Sequence, residues 1–157
     1  MPTGPPTAGP RESQADEAIP QVFISYEWEK QPQIQKLYSR LTSLGFSCWL
    51  DVRQMGGGDQ LYTKIDEGVR RAKVVVSSVT PKYTLSDNCC REVSLSADLG
   101  KPIIPILMEQ VVWPPKGPMG MIFSGLLYID FTKESTQANF DDAKFQELVQ
   151  KIKEHID

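Results

Sequence analysis

"SDNCCREVSLSADLGKPIIPIL", from Ser86 to Leu107, joins two patterns: apolar residues at helical spacing, then a β-branched run from Lys101 that reads as a strand. The same exchange of helix and strand recurs on either side of it. "QVFISY" (Gln21–Tyr26) is a short apolar run without strict alternation, which predicts a strand buried on both faces. Ile34, Leu37, Tyr38 and Leu41 recur at helical spacing, Gly45 is a stop signal, and "FSCWLD" (Phe46–Asp51) resumes strand character. A glycine-rich loop leads to a helix with Leu61, Ile65 and Val69 on one face, and then to the strand "KVVVSSV" (Lys73–Val79). Beyond Leu107 come a loop with Trp113, a short strand "GLLYIDF" and a last helix whose apolar face holds Phe145, Leu148, Val149, Ile152 and Ile156. Parallel strands need crossovers, and here the crossovers are helices. The expected fold is therefore α/β: a flavodoxin-like three-layer arrangement with a five-stranded parallel sheet and helices on both faces. Pro102 and Pro105 lack backbone donors, which places the fourth strand nearer an edge than the centre.

The 157 residues suit one domain. Met1–Ile19 is rich in Pro, Gly and small polar residues and has no apolar periodicity, so it is expected to be a disordered tail before a folded unit spanning 20–157. With a formal charge of -3 and a pI near 5.2, the chain lacks the basic footprint of a nucleic-acid binder. Cys48, Cys89 and Cys90 are odd in number and lack CxxC spacing, which suggests reduced thiols in the cytoplasm. No apolar run is long enough for a membrane span, and no signal peptide is evident. The only histidine, His155, lies near the C-terminus in the last turn of a helix, which leaves Ser-His and Cys-His catalysis and metal sites without support.

Successive helical residues turn by about 100°. On that wheel Glu92 shares an arc with Cys89, Leu95, Ser96 and Leu99, while Arg91, Ser94 and Asp98 cluster on the other side. A carboxylate in an apolar arc must find hydrogen bonds, pair with a cation or change its protonation. Two readings are open at this point: a structural glutamate satisfied by nearby backbone or a lysine, and a catalytic carboxylate in a cleft. Open parallel sheets bind ligands at the carboxyl ends of their strands, near the reversal of strand order. The loops at 26–29, 51–59, 78–88 and 109–115 emerge at that end.

Together, "QVFISYEWEK", "LGFSCWLDVRQMGGGD", "SDNCCREVSLSADLGKPIIPI" and the Trp113-Pro114 pair resemble the Toll/interleukin-1 receptor (TIR) domain family. "FISY", "LDV" and the tryptophan-proline pair are most similar to its NAD-cleaving animal members. The resemblance covers 20–157. It implies the same flavodoxin-like fold, a place in innate-immune or cell-death signalling, and hydrolysis or cyclisation of NAD+, as a substrate rather than a cofactor, by one glutamate aligned with Glu92. It also implies a substrate site lined by Tyr26, Glu27, Trp28, Asp51, Met55, Gly56, Asn88, Cys89 and Trp113. Nicotinamide leaves as a neutral molecule and oxocarbenium character builds on the ribose, so one carboxylate suffices without a general acid. Two positions depart from the catalytic pattern: Asn88 stands where a tryptophan is usual, and Glu27 and Trp28 stand where the animal enzymes have two basic residues. Trp28 offers stacking in place of charge, as does Trp113. A non-catalytic TIR adaptor is the rival reading.

"MGGGDQ" (Met55–Gln60) is not a phosphate loop: Leu61 occupies the third glycine position of GxGxxG and no GK[ST] follows. Its three glycines permit many conformations. The resemblance implies that this loop docks on another TIR domain, in self-association or with a partner.

Overall fold

The computed structural model describes residues 21–50, 59–133, 140 and 142–156. The expected tail Met1–Ile19 and the loop carrying Asp51, Met55 and Gly56 lie outside the described residues. Five parallel strands form one sheet in the order β2-β1-β3-β4-β5: β1 (Val22–Ser25), β2 (Cys48–Leu50), β3 (Val74–Val79), β4 (Ile103–Leu107) and β5 (Ile129–Asp130). Among the described residues the helices are α1 (Gln31–Ser43), α2 (Asp59–Arg71), α3 (Pro81–Leu85), α4 (Asp87–Asp98), α5 (Pro118–Phe123) and α6 (Asp142–Ile156), with a 3₁₀ turn at Trp28–Lys30. The five-stranded flavodoxin-like arrangement expected from the alternation is the one observed. The helices α3 and α5 were not expected, because five or six residues are too few to show a helical period.

Strand alternation divides the core into two layers. Val22 and Ile24 of β1 and Val74 and Val76 of β3 face α1 and α6, where Ile34, Leu37, Leu41, Phe145, Leu148 and Ile152 complete the packing. Phe23 and Val75 point the other way, onto Ile65 and Val69 of α2 with Leu95 and Leu99 of α4. A third cluster joins Val79, Tyr83, Cys89, Val93 and Leu107 to Met119 and Phe123 of α5. Each fully buried Leu, Ile or Phe contributes about 1.5–3 kcal/mol by leaving water.

Local signals set the helix ends. Gly45 (φ 97°) ends α1, with Gly45 N donating to Thr42 O at 3.0 Å and Phe46 N to Leu41 O at 3.2 Å, as a Schellman turn requires. Thr80 caps α3 by accepting from Tyr83 N at 3.0 Å, and Ser86 caps α4 by accepting from Cys89 N at 3.2 Å. These caps fix the corner that presents Tyr83 and Glu92 to the sheet.

The fourth strand lies one strand in from the β5 edge. Met108 N donates to Val79 O and Pro102 O accepts from Val75 N, so even-numbered residues of β4 bond toward β3 and Pro105 faces the β5 side. There β5 pairs only with Ile106 and Leu107. The donor that Pro105 lacks has no ladder partner to satisfy.

Candidate functional site

The chain leaves β1 for β2 on one side and returns to β3 on the other, so strand order reverses between β1 and β3. At that switch Ser25 pairs in register with Ser77. Both follow the alternation that turns Phe23 and Val75 toward α2 and α4, so the apolar lining of that face gives way to hydroxyls at the carboxyl ends of the strands. Glu92, in the second turn of α4, meets them there. It has no accessible surface, and Ser25 Oγ donates a short hydrogen bond to its Oε1. The apolar-arc reading of Glu92 is what the structure shows, and Val93 and Ser96 are buried with it.

Tyr83 of α3 completes the cluster. Its hydroxyl lies 2.7 Å from Ser25 Oγ. Burial first, and then the charges of Cys89 and Glu92, push the Tyr83 phenol well above its usual range, so it remains protonated. Ser25 and Tyr83 escaped the sequence reading. The signal was present: a serine closing an otherwise apolar strand, and a Thr80-Pro81 cap two residues before a tyrosine.

The other candidates separate into groups. Cys89 is buried beside Glu92, with its Sγ 3.5 Å from the Tyr26 carbonyl. Tyr26 itself turns its ring into the α1–α6 layer, away from the carboxylate, leaving only its backbone on this side. Asn88 is half-buried in the first turn of α4. Glu27 caps the 3₁₀ turn by accepting from Glu29 N at 3.1 Å, and Trp28 within that turn is exposed. Trp113 stacks on Phe123 with centroids 5.4 Å apart and leans on Tyr128 at 4.8 Å. It is therefore a wall between the β4 loop and α5, with one ring face already covered, rather than an open stacking platform. Asp51, Met55 and Gly56 lie outside the described residues.

Cations do stand at the rim, though not at positions 27 and 28. Lys30 pairs with Glu109 at 2.6 Å, tying the first loop to the fourth, and Lys82 pairs with Glu29. Hydrogen bonding to Glu29 raises the Lys82 ammonium above its usual range. Among the described residues no helix is long and apolar enough to cross a membrane.

The family profile of the TIR domain matches residues 22–149. The chain belongs to the TIR domain family. A protein of Brachypodium distachyon, "Probable 2' cyclic ADP-D-ribose synthase BdTIR", is 33% identical over 91 residues, covering 57% of this chain and 41% of that protein. The chain thus spans less than half the length of that curated relative. Among solved structures, the TIR domain of the Toll-related receptor TRR-2 from Hydra magnipapillata matches with a TM-score of 0.65 at 19% identity, over 84% of this chain and 97% of that one. The TIR domains of the activated Roq1 resistosome, which recognises the pathogen effector XopQ, match with a TM-score of 0.59 at 14% identity, over 84% and 98%. These two likenesses show the fold.

Proposed function

We propose that this TIR domain cleaves the nicotinamide-ribose bond of NAD+, with Glu92 as the catalytic carboxylate, in innate-immune or cell-death signalling in the cytoplasm. The observation that carries the reading is the place of Glu92: a carboxylate held by Ser25 at the β1/β3 switch, where this fold receives ligands. Departure of neutral nicotinamide leaves positive charge on the ribose, and a carboxylate in a dry site stabilises that charge far more than one in water. Capture by water gives ADP-ribose, whereas capture by a hydroxyl of the same dinucleotide gives a cyclic isomer, the kind of product in the name of the Brachypodium relative. Transfer to another base is a further outcome of the same cation. At the rim, exposed Trp28 supplies a stacking face for substrate, and Lys30 and Lys82, paired with Glu109 and Glu29, supply positive charge for a diphosphate.

A second reading has its own support. Glu92 has no accessible surface in the single chain, as a purely structural glutamate in a non-catalytic adaptor would. Incubating concentrated protein with NAD+ and resolving the products by chromatography separates the two. Release of nicotinamide that Glu92→Gln abolishes supports the enzyme, whereas absence of release at every protein concentration favours the adaptor.

A further inference from the structure

Glu92 is reached by a chain of hydroxyls from three separate elements. Tyr83 Oη of α3 lies 2.7 Å from Ser25 Oγ of β1, and Ser25 Oγ donates to Glu92 Oε1 of α4. A serine hydroxyl has one hydrogen and two lone pairs. Once that hydrogen goes to Glu92, the Tyr83 contact has a single polarity: the phenol donates and Ser25 accepts. All three residues are fully buried, so bulk water does not compete for these hydrogen bonds.

We infer that Ser25 and Tyr83 are positioning residues for the glutamate: a one-way hydrogen-bond chain, Tyr83 to Ser25 to Glu92 Oε1, fixes the carboxylate's orientation and favours its ionised form where ribose charge develops. This rests on the catalytic reading of Glu92 given above. Neither residue touches substrate; each acts through the carboxylate. The chain favours the anion because a carboxylate oxygen accepts the Ser25 hydrogen more strongly than the carbonyl oxygen of a neutral acid does, and the phenol behind Ser25 strengthens that donor. A proton on Glu92 weakens the acceptor at the end of the chain, and Ser77, whose side chain also acts on the Tyr83 phenol, then competes with Ser25 for it.

Among the described residues, Glu92 and the Cys89 thiol of the same helix both act on the Tyr83 phenol. The sheet presents the neutral Ser25 and Ser77. Helices α2 and α5 meet α4 through Ile65 and Val69 on one side and Met119 and Phe123 on the other.

The test is a pH titration of the full-length protein by carboxyl ¹³C NMR with labelled glutamate, the Glu92 resonance being identified by its loss in Glu92→Gln. Tyr83→Phe keeps the ring and removes only the hydroxyl, and it should raise the Glu92 midpoint by about half a pH unit. Ser25→Ala should raise it by about one unit, the worth of one hydrogen bond to a charged group, and Ser25→Thr should restore it. In nicotinamide release the same variants should lower kcat by roughly three-fold and ten-fold with KM unchanged, and the acid limb of kcat should move with the NMR midpoint. The titration needs no substrate. A parent protein inert toward NAD+ would therefore overturn the catalytic reading, and with it the positioning role, while still measuring the chain. If Ser25→Ala does not fold, Tyr83→Phe decides. A Glu92 midpoint unmoved in folded Tyr83→Phe, or one moved with no effect on kcat in an active parent, would overturn the inference.

Discussion

A Cβ placed on Gly120 would stand 2.1 Å from the carbonyl oxygen of Pro115. The obstacle is backbone, and it belongs to the segment that carries Trp113 onto Phe123. No rotamer change relieves such a clash, so the loop or α5 must move. Gly120→Ala should cost about 3 kcal/mol, at the upper end of ordinary overpacking, and lower Tm by about 6–12 °C for a chain of this size. Gly125 has nothing within 4 Å of its hypothetical Cβ. Gly125→Ala is the control in thermal unfolding and should stay within about 0.5 kcal/mol of the parent.

Cys48 begins β2, in register with Val22 and against the α1–α6 layer. Burial pushes its thiol from 9.0 up to about 12. The thiolate is the reactive form, so at pH 8 a shift of this size should slow alkylation by roughly 10³. Mass spectrometry after iodoacetamide treatment should find Cys48 unmodified in the native protein and modified in urea. The same shift gives a sign for stability. The fold favours the neutral thiol, so this contribution is complete below pH 9 and is lost as pH rises from 9 toward 12, by up to about 1.4 kcal/mol per unit. Urea unfolding of Cys48→Ala between pH 8 and pH 10 should lack that slope.

Much of the fold was legible because five strand runs and four of the helices are long enough to show a period. Gly45 was read as a stop and is one, since only its positive φ allows the two hydrogen bonds that close α1. The helices α3 and α5 were missed for want of length. At the site, Glu92 was legible from one element, because a misplaced carboxylate is visible on a helical wheel. Its partners were not, because Ser25 and Tyr83 meet it only through register and the α3–α4 corner. Tyr26 and Trp113 show the converse. Both sit at the carboxyl end of the sheet, but side-chain direction sends the Tyr26 ring into the opposite layer and Trp113 onto α5.

Glu92→Gln preserves the shape of the side chain and an acceptor for Ser25 while removing the charge. Nicotinamide release should fall by about 10³, with a change in stability under about 1 kcal/mol. Glu92→Ala is the harsher change, because it strips the buried Ser25 hydroxyl of its acceptor at a cost of about 1–3 kcal/mol. Activity and unfolding should therefore separate the two variants: equal loss of turnover, unequal loss of stability. Retained turnover in Glu92→Gln would remove the carboxylate from the mechanism.

Assembly is expected to control the rate, for a reason that starts from Glu92. In the single chain its carboxylate has no accessible surface, so only a rearranged minority could hold a ribose against it. Apparent affinity for NAD+ then falls by the competent fraction, and a neighbouring chain that selects the competent state restores it. Gly56, Gly57 and Gly58 lie outside the described residues, and the expectation that a partner selects the loop's conformation comes from the sequence, since glycine permits backbone angles other residues avoid. Nicotinamide release should rise faster than linearly with protein concentration from nanomolar to high micromolar. Gly57→Pro fixes φ near about -65° and removes a donor, and it should impair self-association and turnover together while leaving Tm within about 2 °C of the parent. A strictly proportional rate over that range, or a Gly57→Pro variant that stays monomeric yet turns over normally, would show that each chain opens its own site unaided.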